Sequence, residues 1–554
     1  MLFTSFQFAV AFPLILITYY LLPRRNWQVV LLVIVGMLMY GIENWQFFLL
    51  LSFSAVFTGV TSYLASQPER PTRRGWLVTG VVTSLIILIF FKYKGLIFSS
   101  LAPLNFLPKD WTSAHQVCAA ILLLPLPVGI SFYTFHAISL LVDAHRRPGI
   151  LGFDRMARVS FPEHFLKTFL YITFFPQLVA GPIVKGASFY PQISPKKWRD
   201  IPWIPAARAL IWGYFLKMVI ADNLQELTAP LDGKWHSSPA DACWAMMLGY
   251  SAQIFADFAG YSLIALGLAK LLGYELPQNF NMPYISASFS DFWRRWHMSL
   301  SLWLREYLYY PLGGNRKGKL RTYFNLMIVM FLGGLWHGPA WRFAIWGLWH
   351  GAALACEKML KDFAERHPDL LFSKLIEAVR TPLFKPLRVL FVFSFITVGW
   401  LFFRLESTAQ VWEFLGKLLD HGPSGCSAVH TLTYIFFFMV ILFHFLKDPA
   451  LGINLRELYF LGYSATPLLL GMLIQGFQYL TMSRSKTLSL IVWLVILLYY
   501  VLASPLGLGL KGNEDARHKF EAFIGRIEPY LLGVLLFLIF FSPGKQNAFI
   551  YFQF

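Results

Sequence analysis

The chain is short of charged residues and of cysteine. Lysine, arginine, aspartate and glutamate make up only 14% of its 554 residues, against about a quarter in an average soluble domain. The four cysteines are far apart and form no C-x-x-C pair, so they predict no metal site. They are Cys118, Cys243, Cys356 and Cys426. The shortage of charge excludes an ordinary soluble domain.

Common catalytic and binding signatures are also missing. The chain has no H-E-x-x-H metal motif and no G-x-S-x-G nucleophile elbow. A G-x-G-x-x-G match at 507–512 follows an apolar helix with no βαβ unit around it, so it predicts no dinucleotide site. No aromatic-interleaved basic patch suggests nucleic acid. These absences leave histidine as a general base, with arginines to hold an anionic substrate, and predict no metal and no permanently bound cofactor.

Long apolar windows fill most of the sequence, and 57% of its residues are hydrophobic. Because about 20 apolar residues span a bilayer, the sequence predicts an all-α, polytopic transmembrane bundle of about 11–15 membrane segments. We interpret residues 1–554 as a single domain. Proline and glycine interrupt some windows near 125–127 and 176–182, where re-entrant segments are expected. The windows lie near 7–22, 28–41, 45–64, 76–92, 117–142, 163–180, 204–221, 242–272, 322–335, 341–358, 387–404, 430–446, 465–480, 487–503 and 529–542.

Basic clusters carry much of the net charge of +18. By the positive-inside rule, Arg24–Arg25 and the cluster from Arg70 to Arg74 belong to the cytoplasmic side, which places the N-terminus outside. The later clusters are at 145–147, 196–199 and 316–321. Orientation and contact with lipid head groups explain most of these charges.

The stretch from Ser288 to Gly351 carries two histidines in apolar sequence. An S-x-x-D capping box, Ser288 with Asp291, predicts a helix that runs to Pro311. At about 100° per residue, one face of that helix is aromatic and the other is a cationic stripe that includes a histidine. The stripe consists of Arg294, His297, Ser301 and Arg305. Taken alone, it fits a solvated surface helix as well as a site.

His337 strengthens the hypothesis of a site, because its neighbours are rigid and apolar. Trp336, Gly338, Pro339 and Trp341 surround it in sequence. An ionisable side chain at bilayer depth is a functional-site hypothesis by default. The alternative is a core histidine satisfied by a backbone carbonyl.

Three further positions have both a functional and a structural interpretation. Gln177, between two prolines, either lines a cavity or belongs to an inter-helix turn. Asp257 is the only carboxylate in a long apolar run, so it needs a partner; a histidine or arginine of the 288–351 stretch is the expected one, and a structural interhelical hydrogen bond is the alternative. His136 and Asp143 lie one heptad apart, which favours a structural contact inside the bundle.

These motifs together resemble the membrane-bound O-acyltransferases, specifically their bacterial polysaccharide O-acetyltransferase branch. The resemblance covers most of the chain, with its core at 174–351. It implies a helical bundle around a tunnel, with His337 as the catalytic residue and His297 as the second active-site residue, where other branches carry asparagine. His136 stands where relatives carry glutamine, so no role is carried over to it. The matching segments are 174–186, 253–274, 279–316, 334–338, 346–351 and the terminal FIYFQF.

The resemblance implies an inner-membrane enzyme that takes acetyl from cytoplasmic acetyl-CoA and passes it across the membrane. The recipient would be a periplasmic acetyl-accepting protein or SGNH-type acetyltransferase that completes O-acetylation of an exported polysaccharide such as alginate. His337 would act as general base, and His297 with Trp336 would orient the acceptor or stabilise the oxyanion. Arg294 and Arg305 would hold the donor phosphates. The alternatives are a transporter or flippase, or the same fold with D-alanyl or longer acyl cargo.

Overall fold

The computed structural model describes residues 3–42, 45–101, 126–146, 160–420, 428–446, 529 and 532–540. All the regular secondary structure in these ranges is helical, which confirms the predicted all-α class. The helices are α1 (Phe6–Leu21), α2 (Arg25–Gly41), α3 (Trp45–Ser66), α4 (Arg73–Leu101), α5 (Ile130–Arg146), α6 (Phe161–Thr173), α7 (Phe175–Leu178), α8 (Gly186–Phe189), α9 (Trp203–Tyr214), α10 (Asp222–Thr228), α11 (Ala240–Leu271), α12 (Phe289–Arg295), α13 (Met298–Leu304), α14 (Lys319–His337), α15 (Trp341–Arg366), α16 (Leu371–Arg380), α17 (Lys385–Arg404), α18 (Thr408–Lys417) and α19 (Ala428–Leu446).

Five helical stretches of the described residues are long and apolar enough to cross a bilayer. Each overlaps one of the predicted apolar windows, as expected for segments of about 20 apolar residues. Two other windows, 465–480 and 487–503, lie outside the described residues, so the total of 11–15 segments stays a prediction. The five stretches are Trp45–Ser66, Arg73–Lys94, Trp203–Leu231, Ala240–Leu271 and Pro382–Arg404.

Helix α11 lies at the centre of the bundle. Nearly all of its side chains from Ala242 to Leu271 are buried, which is why its sequence is apolar on every face. Helix α9 and the π-helical segment that follows it (Phe215–Ala221) pack closely against α11. A Cβ atom on Gly260 of α11 would lie 2.8 Å from the backbone nitrogen of Lys217. Glycine at position 260 therefore permits this close approach.

Helices α14 and α15 form a tightly packed hairpin. A Cβ atom on Gly347 of α15 would lie 2.3 Å from the carbonyl oxygen of Met330 on α14. A Cβ atom on Gly334 would lie 2.2 Å from the carbonyl oxygen of Phe343. Because side chains at these two crossings would force the helices apart, the glycines bring the end of α14 against the start of α15.

The predicted continuous helix from Ser288 to Pro311 is wrong. Its start is correct, since the Ser288 hydroxyl accepts a hydrogen bond of 3.1 Å from the Asp291 backbone N–H. The helix then stops at Arg295, and a second helix begins at Met298. His297 lies in the break with φ +42°, in the left-handed region that few residues other than glycine adopt.

The break predicted around Pro176 is confirmed. Helix α6 ends at Thr173, the four-residue helix α7 follows, and the chain runs without regular structure until Gly186. Residues 181–185 pack against α5 and α13 and help to position the site. The first predicted break, near 125–127, begins outside the described residues.

Candidate active site

His297 is held in its unusual backbone conformation by hydrogen bonds to a distant segment. The Asn281 N–H donates to the Arg295 carbonyl at 2.9 Å, and the Met298 N–H donates to the Asn279 carbonyl at 2.9 Å. These two bonds flank His297 on both sides. Its side chain is fully buried, and its ring meets the Phe258 ring edge-on at 4.6 Å.

The Asn279 side chain contacts the His297 ring directly. Its Oδ1 lies 3.3 Å from His297 Nδ1 and accepts a 2.6 Å hydrogen bond from the Ser299 hydroxyl. Its Nδ2 donates to the Ser262 hydroxyl at 3.2 Å. All four side chains are buried, so this is a closed polar cluster within an apolar core, in which each hydrogen bond gains strength from the low dielectric.

His337 is the last residue of α14 and is almost fully buried. Three aromatic rings pack around it, with centroids 4.9 Å away at Trp336 and 5.2 Å away at both Trp346 and Phe403. The chain turns sharply at Gly338, where a Cβ atom would lie 2.1 Å from the Phe343 ring. His337 is therefore enclosed by apolar rings as predicted, but Trp346 and Phe403 form the enclosure together with Trp336, whereas the predicted neighbour Trp341 is exposed.

The Trp336 ring lies near the rings of both histidines. Its centroid is 6.1 Å from that of His297 and 4.9 Å from that of His337. Trp336 is itself packed on Phe135, which stacks on Trp303 at 3.8 Å. The structure thus brings His297, Trp336 and His337 together, although 40 residues separate the histidines in sequence.

Lys92 was missed by the sequence analysis. It lies on α4, its side chain is buried, and its Nζ donates a hydrogen bond to the carbonyl oxygen of Trp336. The same ammonium lies 5.5 Å from the centroid of the Trp336 ring and 3.5 Å from the Ser131 hydroxyl. A cation at the carboxyl end of a helix complements the helix dipole. The rule that singled out the histidines, an ionisable side chain at bilayer depth, would also have identified Lys92.

Substitution of Lys92 by methionine is expected to lower turnover about tenfold to a hundredfold. The change removes a charged hydrogen bond to the residue next to His337, worth about 1.5–3 kcal/mol, while keeping an unbranched side chain that fills the same space. Lys94→Met, on the same helix, is the matched control and should turn over like the wild type. Steady-state rates with purified protein measure both. Equal rates for wild type and Lys92→Met would contradict a contribution from this contact.

The remaining residues of the cationic stripe are not on one face with His297. Arg294 and Arg305 are exposed, whereas His297 is buried, because the break in the helix turns them apart. Ser301 is half-buried and its hydroxyl donates to the Trp296 carbonyl at 3.3 Å. Roles for these three residues in substrate binding stay predictions.

Gln177 and the segment that follows it form hydrogen bonds to the residues around the site. The buried Gln177 amide donates to the Tyr171 carbonyl at 2.7 Å, at the end of α6. Further along, the Ile183 N–H donates to the Ser299 hydroxyl at 2.9 Å, and the Val184 N–H donates to His136 Nε2 at 3.2 Å. His136 therefore makes a polar contact inside the bundle, as its structural interpretation predicted. A substrate contact for Gln177 stays a prediction.

The predicted partner of Asp257 is wrong. Its carboxylate pairs with Lys217 on the π-helical segment, at 2.7 Å, and not with a histidine or arginine of the 288–351 stretch. Lys217 also binds Asp222 at 2.8 Å, and all three side chains are buried. Lys217 is the nearer source of charge because α11 packs directly on its backbone. A substrate-binding role for Asp257 stays a prediction.

A multi-helix membrane fold with two buried histidines near one tryptophan is the arrangement that the sequence predicted for a candidate intramembrane site. The chain belongs to the membrane-bound O-acyltransferase family. The family's sequence profile, described as membrane-bound O-acyltransferase, matches residues 157–398, a range that includes both histidines and all the contacts around Asn279. The prediction of an acyltransferase is therefore confirmed, and the transporter hypothesis is set aside.

Relatives that are named for three different activities match this chain. It is 34% identical over 426 residues, 76% of this chain and 79% of the relative, to the "Probable alginate O-acetylase" of Azotobacter vinelandii. It is 33% identical over 417 residues, 72% of this chain and 75% of the relative, to the peptidoglycan O-acetyltransferase of Helicobacter pylori. It is 29% identical over 324 residues, 56% of this chain and 74% of the relative, to the teichoic acid D-alanyltransferase of Bacillus subtilis.

Proposed function

We propose that this protein is an inner-membrane O-acetyltransferase that takes acetyl from cytoplasmic acetyl-CoA. It passes the acetyl group across the membrane for O-acetylation of an exported polysaccharide such as alginate. The observation that carries this proposal is the pair of buried histidines, His297 and His337, whose rings both lie near the Trp336 ring. The alginate and peptidoglycan O-acetylating relatives support acetyl as the cargo.

The proposed reaction is a single acyl transfer. His337 accepts the proton of an acceptor hydroxyl, and the oxygen attacks the thioester carbonyl of the donor. The C–S bond then breaks, the ester forms, and the thiolate of CoA takes a proton. Trp336, Trp346 and Phe403 exclude water from His337, which protects the thioester from hydrolysis. A base of this kind contributes about 10²–10⁴-fold to the rate.

We propose the orientation of the protein in the membrane from its basic clusters, which meet at one end of the bundle. Arg25 pairs with Glu163 at 3.2 Å, and Gln28 donates to the Lys196 carbonyl at 2.9 Å. Lys185 pairs with Glu306 at 2.9 Å, which links this end to the segment before Arg316. The positive-inside rule assigns such an end to the cytoplasm. The N-terminus, at the other end of α1, is then periplasmic, and anionic lipid head groups surround the basic end.

We expect the exposed side chains of Arg294 and Arg305 to bind the phosphates of the donor. Arg294→Gln and Arg305→Gln should each raise the KM for acetyl-CoA about tenfold, the equivalent of 1.4 kcal/mol, with little change in kcat, because phosphates are bound equally in the ground and transition states. Arg366→Gln, exposed at the end of α15, is the control. An unchanged KM in both variants would mean that the donor binds elsewhere.

The acceptor is proposed to be a periplasmic partner, an acetyl-accepting protein or an SGNH-type acetyltransferase. His297 and His337 are both buried among aromatic rings, so a folded or branched polymer cannot approach them directly. A smaller carrier group that enters the site and then leaves with the acetyl ester avoids this obstacle. The partner would complete acetylation of the polysaccharide outside the membrane.

Release of free CoA by purified protein tests the proposed cargo. Acetyl-CoA, a longer acyl-CoA and D-alanyl-CoA are offered in parallel, each with and without a hydroxyl acceptor. The proposal predicts CoA release that depends on acetyl-CoA and rises with acceptor. Preference for the D-alanyl donor would support the activity named for the Bacillus subtilis relative and would overturn acetyl as the cargo.

A further inference from the structure

Asn279 takes no part in the proposed reaction, yet its side chain connects three segments of the site. Its Oδ1 faces His297 Nδ1 at 3.3 Å, the Ser299 N–H at 3.3 Å and the Ser299 hydroxyl at 2.6 Å. Its Nδ2 donates to the Ser262 hydroxyl on α11 at 3.2 Å. The Ser299 hydroxyl is bound in turn by the Ile183 N–H at 2.9 Å.

The direction of these hydrogen bonds follows from the backbone groups. A backbone N–H can only donate, so the Ser299 hydroxyl accepts from Ile183 and turns its own proton to Asn279. The Ser299 N–H points at the same atom of Asn279. That atom must therefore be the amide oxygen, because the alternative orientation of the amide would place an NH₂ group against two donors.

The fixed Asn279 oxygen determines which nitrogen of His297 carries the proton. Because Oδ1 can only accept, Nδ1 must be the donor, and the neutral ring then has its lone pair on Nε2. His297 Nε2 is buried and has no hydrogen-bond partner among the residues that the structure describes. A buried acceptor left open in this way is costly, and a bound substrate would satisfy it.

We infer that Asn279 is a positioning residue that locks His297 as the Nδ1–H tautomer, so that Nε2 accepts a hydrogen bond from an O–H or N–H group of the bound substrate. The inference rests on the proposed acyl transfer. It also decides between the two roles proposed for His297, which are orientation of the acceptor and stabilisation of the oxyanion. The lone pair on Nε2 repels an oxyanion, but it can accept a hydrogen bond from a hydroxyl group and so hold that group in place. The partner group is either a second hydroxyl of the acceptor or an amide N–H of the pantetheine arm of the donor.

The tautomer is measured directly by ¹⁵N NMR of histidine-labelled protein in lipid nanodiscs, with the His297→Asn variant to assign the signal. The wild type should show a protonated Nδ1 and an unprotonated Nε2. Asn279→Leu should lose this preference, whereas Asn281→Leu should keep it, because Asn281 binds the His297 segment through its backbone N–H. A wild-type signal with the proton on Nε2 would overturn the inference without any reference to activity.

A double-mutant cycle then tests whether Asn279 acts through His297. We expect Asn279→Leu to lower kcat/KM about tenfold in the wild-type background and to have no further effect in the His297→Ala background. If Asn279→Leu raises only the KM for the acceptor, the group that binds Nε2 is the acceptor hydroxyl. If it raises the KM for the donor, that group is the pantetheine amide. Equal losses in both backgrounds would show that Asn279 is merely structural and would overturn the inference. Absence of any turnover in the wild type would refute the proposed function instead, since the NMR result stands independently of it.

Discussion

Replacement of His337 by alanine is expected to lower kcat by about 10²–10⁴-fold, the usual cost of a missing general base. The residue lies at the end of α14 within an aromatic enclosure formed by Trp336, Trp346 and Phe403. Two other buried histidines lie near this point: His297, whose open nitrogen is proposed to hold substrate, and His350, whose ring centroid lies 4.7 Å from that of Trp346. The measurement is CoA release from acetyl-CoA in the presence of an acceptor.

The control for this variant is another buried histidine. His164 bonds the Ser62 hydroxyl at 2.8 Å, away from the site, so His164→Gln should keep the wild-type kcat. The melting temperatures of both variants must be compared with that of the wild type, because the cavity left by the His337 ring also costs stability. If His337→Ala folds and turns over within threefold of wild type, the base is a different residue.

Substitution of Lys217 by methionine is expected to destabilise the protein by about 3–5 kcal/mol, the cost of removing one partner from a buried ion pair. Lys217 lies 2.8 Å from Asp222 and 2.7 Å from Asp257, and each of the three side chains is at most 5% exposed. Without the ammonium, the two buried carboxylates lose the cation that both of them contact. Thermal unfolding in detergent, followed by the loss of helical signal, measures the effect.

The carboxylates can be neutralised to test this explanation. The triple variant Lys217→Met, Asp222→Asn, Asp257→Asn should recover most of the lost stability, because replacing a whole buried ion cluster by neutral groups is often nearly neutral. Lys185→Met, which breaks a half-exposed pair with Glu306, should cost less than about 1 kcal/mol. A triple variant as unstable as Lys217→Met alone would indicate that lost packing, not uncompensated charge, explains the result.

The sequence predicted the helical class and the break at Pro176, and it singled out the two histidines, because each depends on local composition. Apolar runs of membrane length can form little else but helices, and a histidine inside such a run stands out. Sequence patterns did not predict the parts of the site at which distant segments interact. The helix after Ser288 breaks at His297 because Asn279 and Asn281 bond the backbone on both sides of it, and no periodicity within the helix carries that information.

The sequence did not predict the partners of buried charges either. Asp257 was expected to pair within the 288–351 stretch, yet Lys217, 40 residues before it, is closer because α11 packs on the π-helical segment. Lys92 reaches Trp336 across the bundle, 244 residues away. Such pairs depend on which helices are neighbours, which the hydropathy pattern of a membrane protein leaves open.

Passage of acetyl through the His297–His337 site, from a cytoplasmic donor to an outer acceptor, can be followed in sided vesicles. Inverted inner-membrane vesicles containing the wild type or His337→Ala receive labelled acetyl-CoA outside and an acceptor protein or hydroxyl compound inside. We expect labelled acetyl ester in the lumen with the wild type and about 10²–10⁴-fold less with the variant. Equal lumenal labelling by both proteins would show that acetyl does not pass through this site.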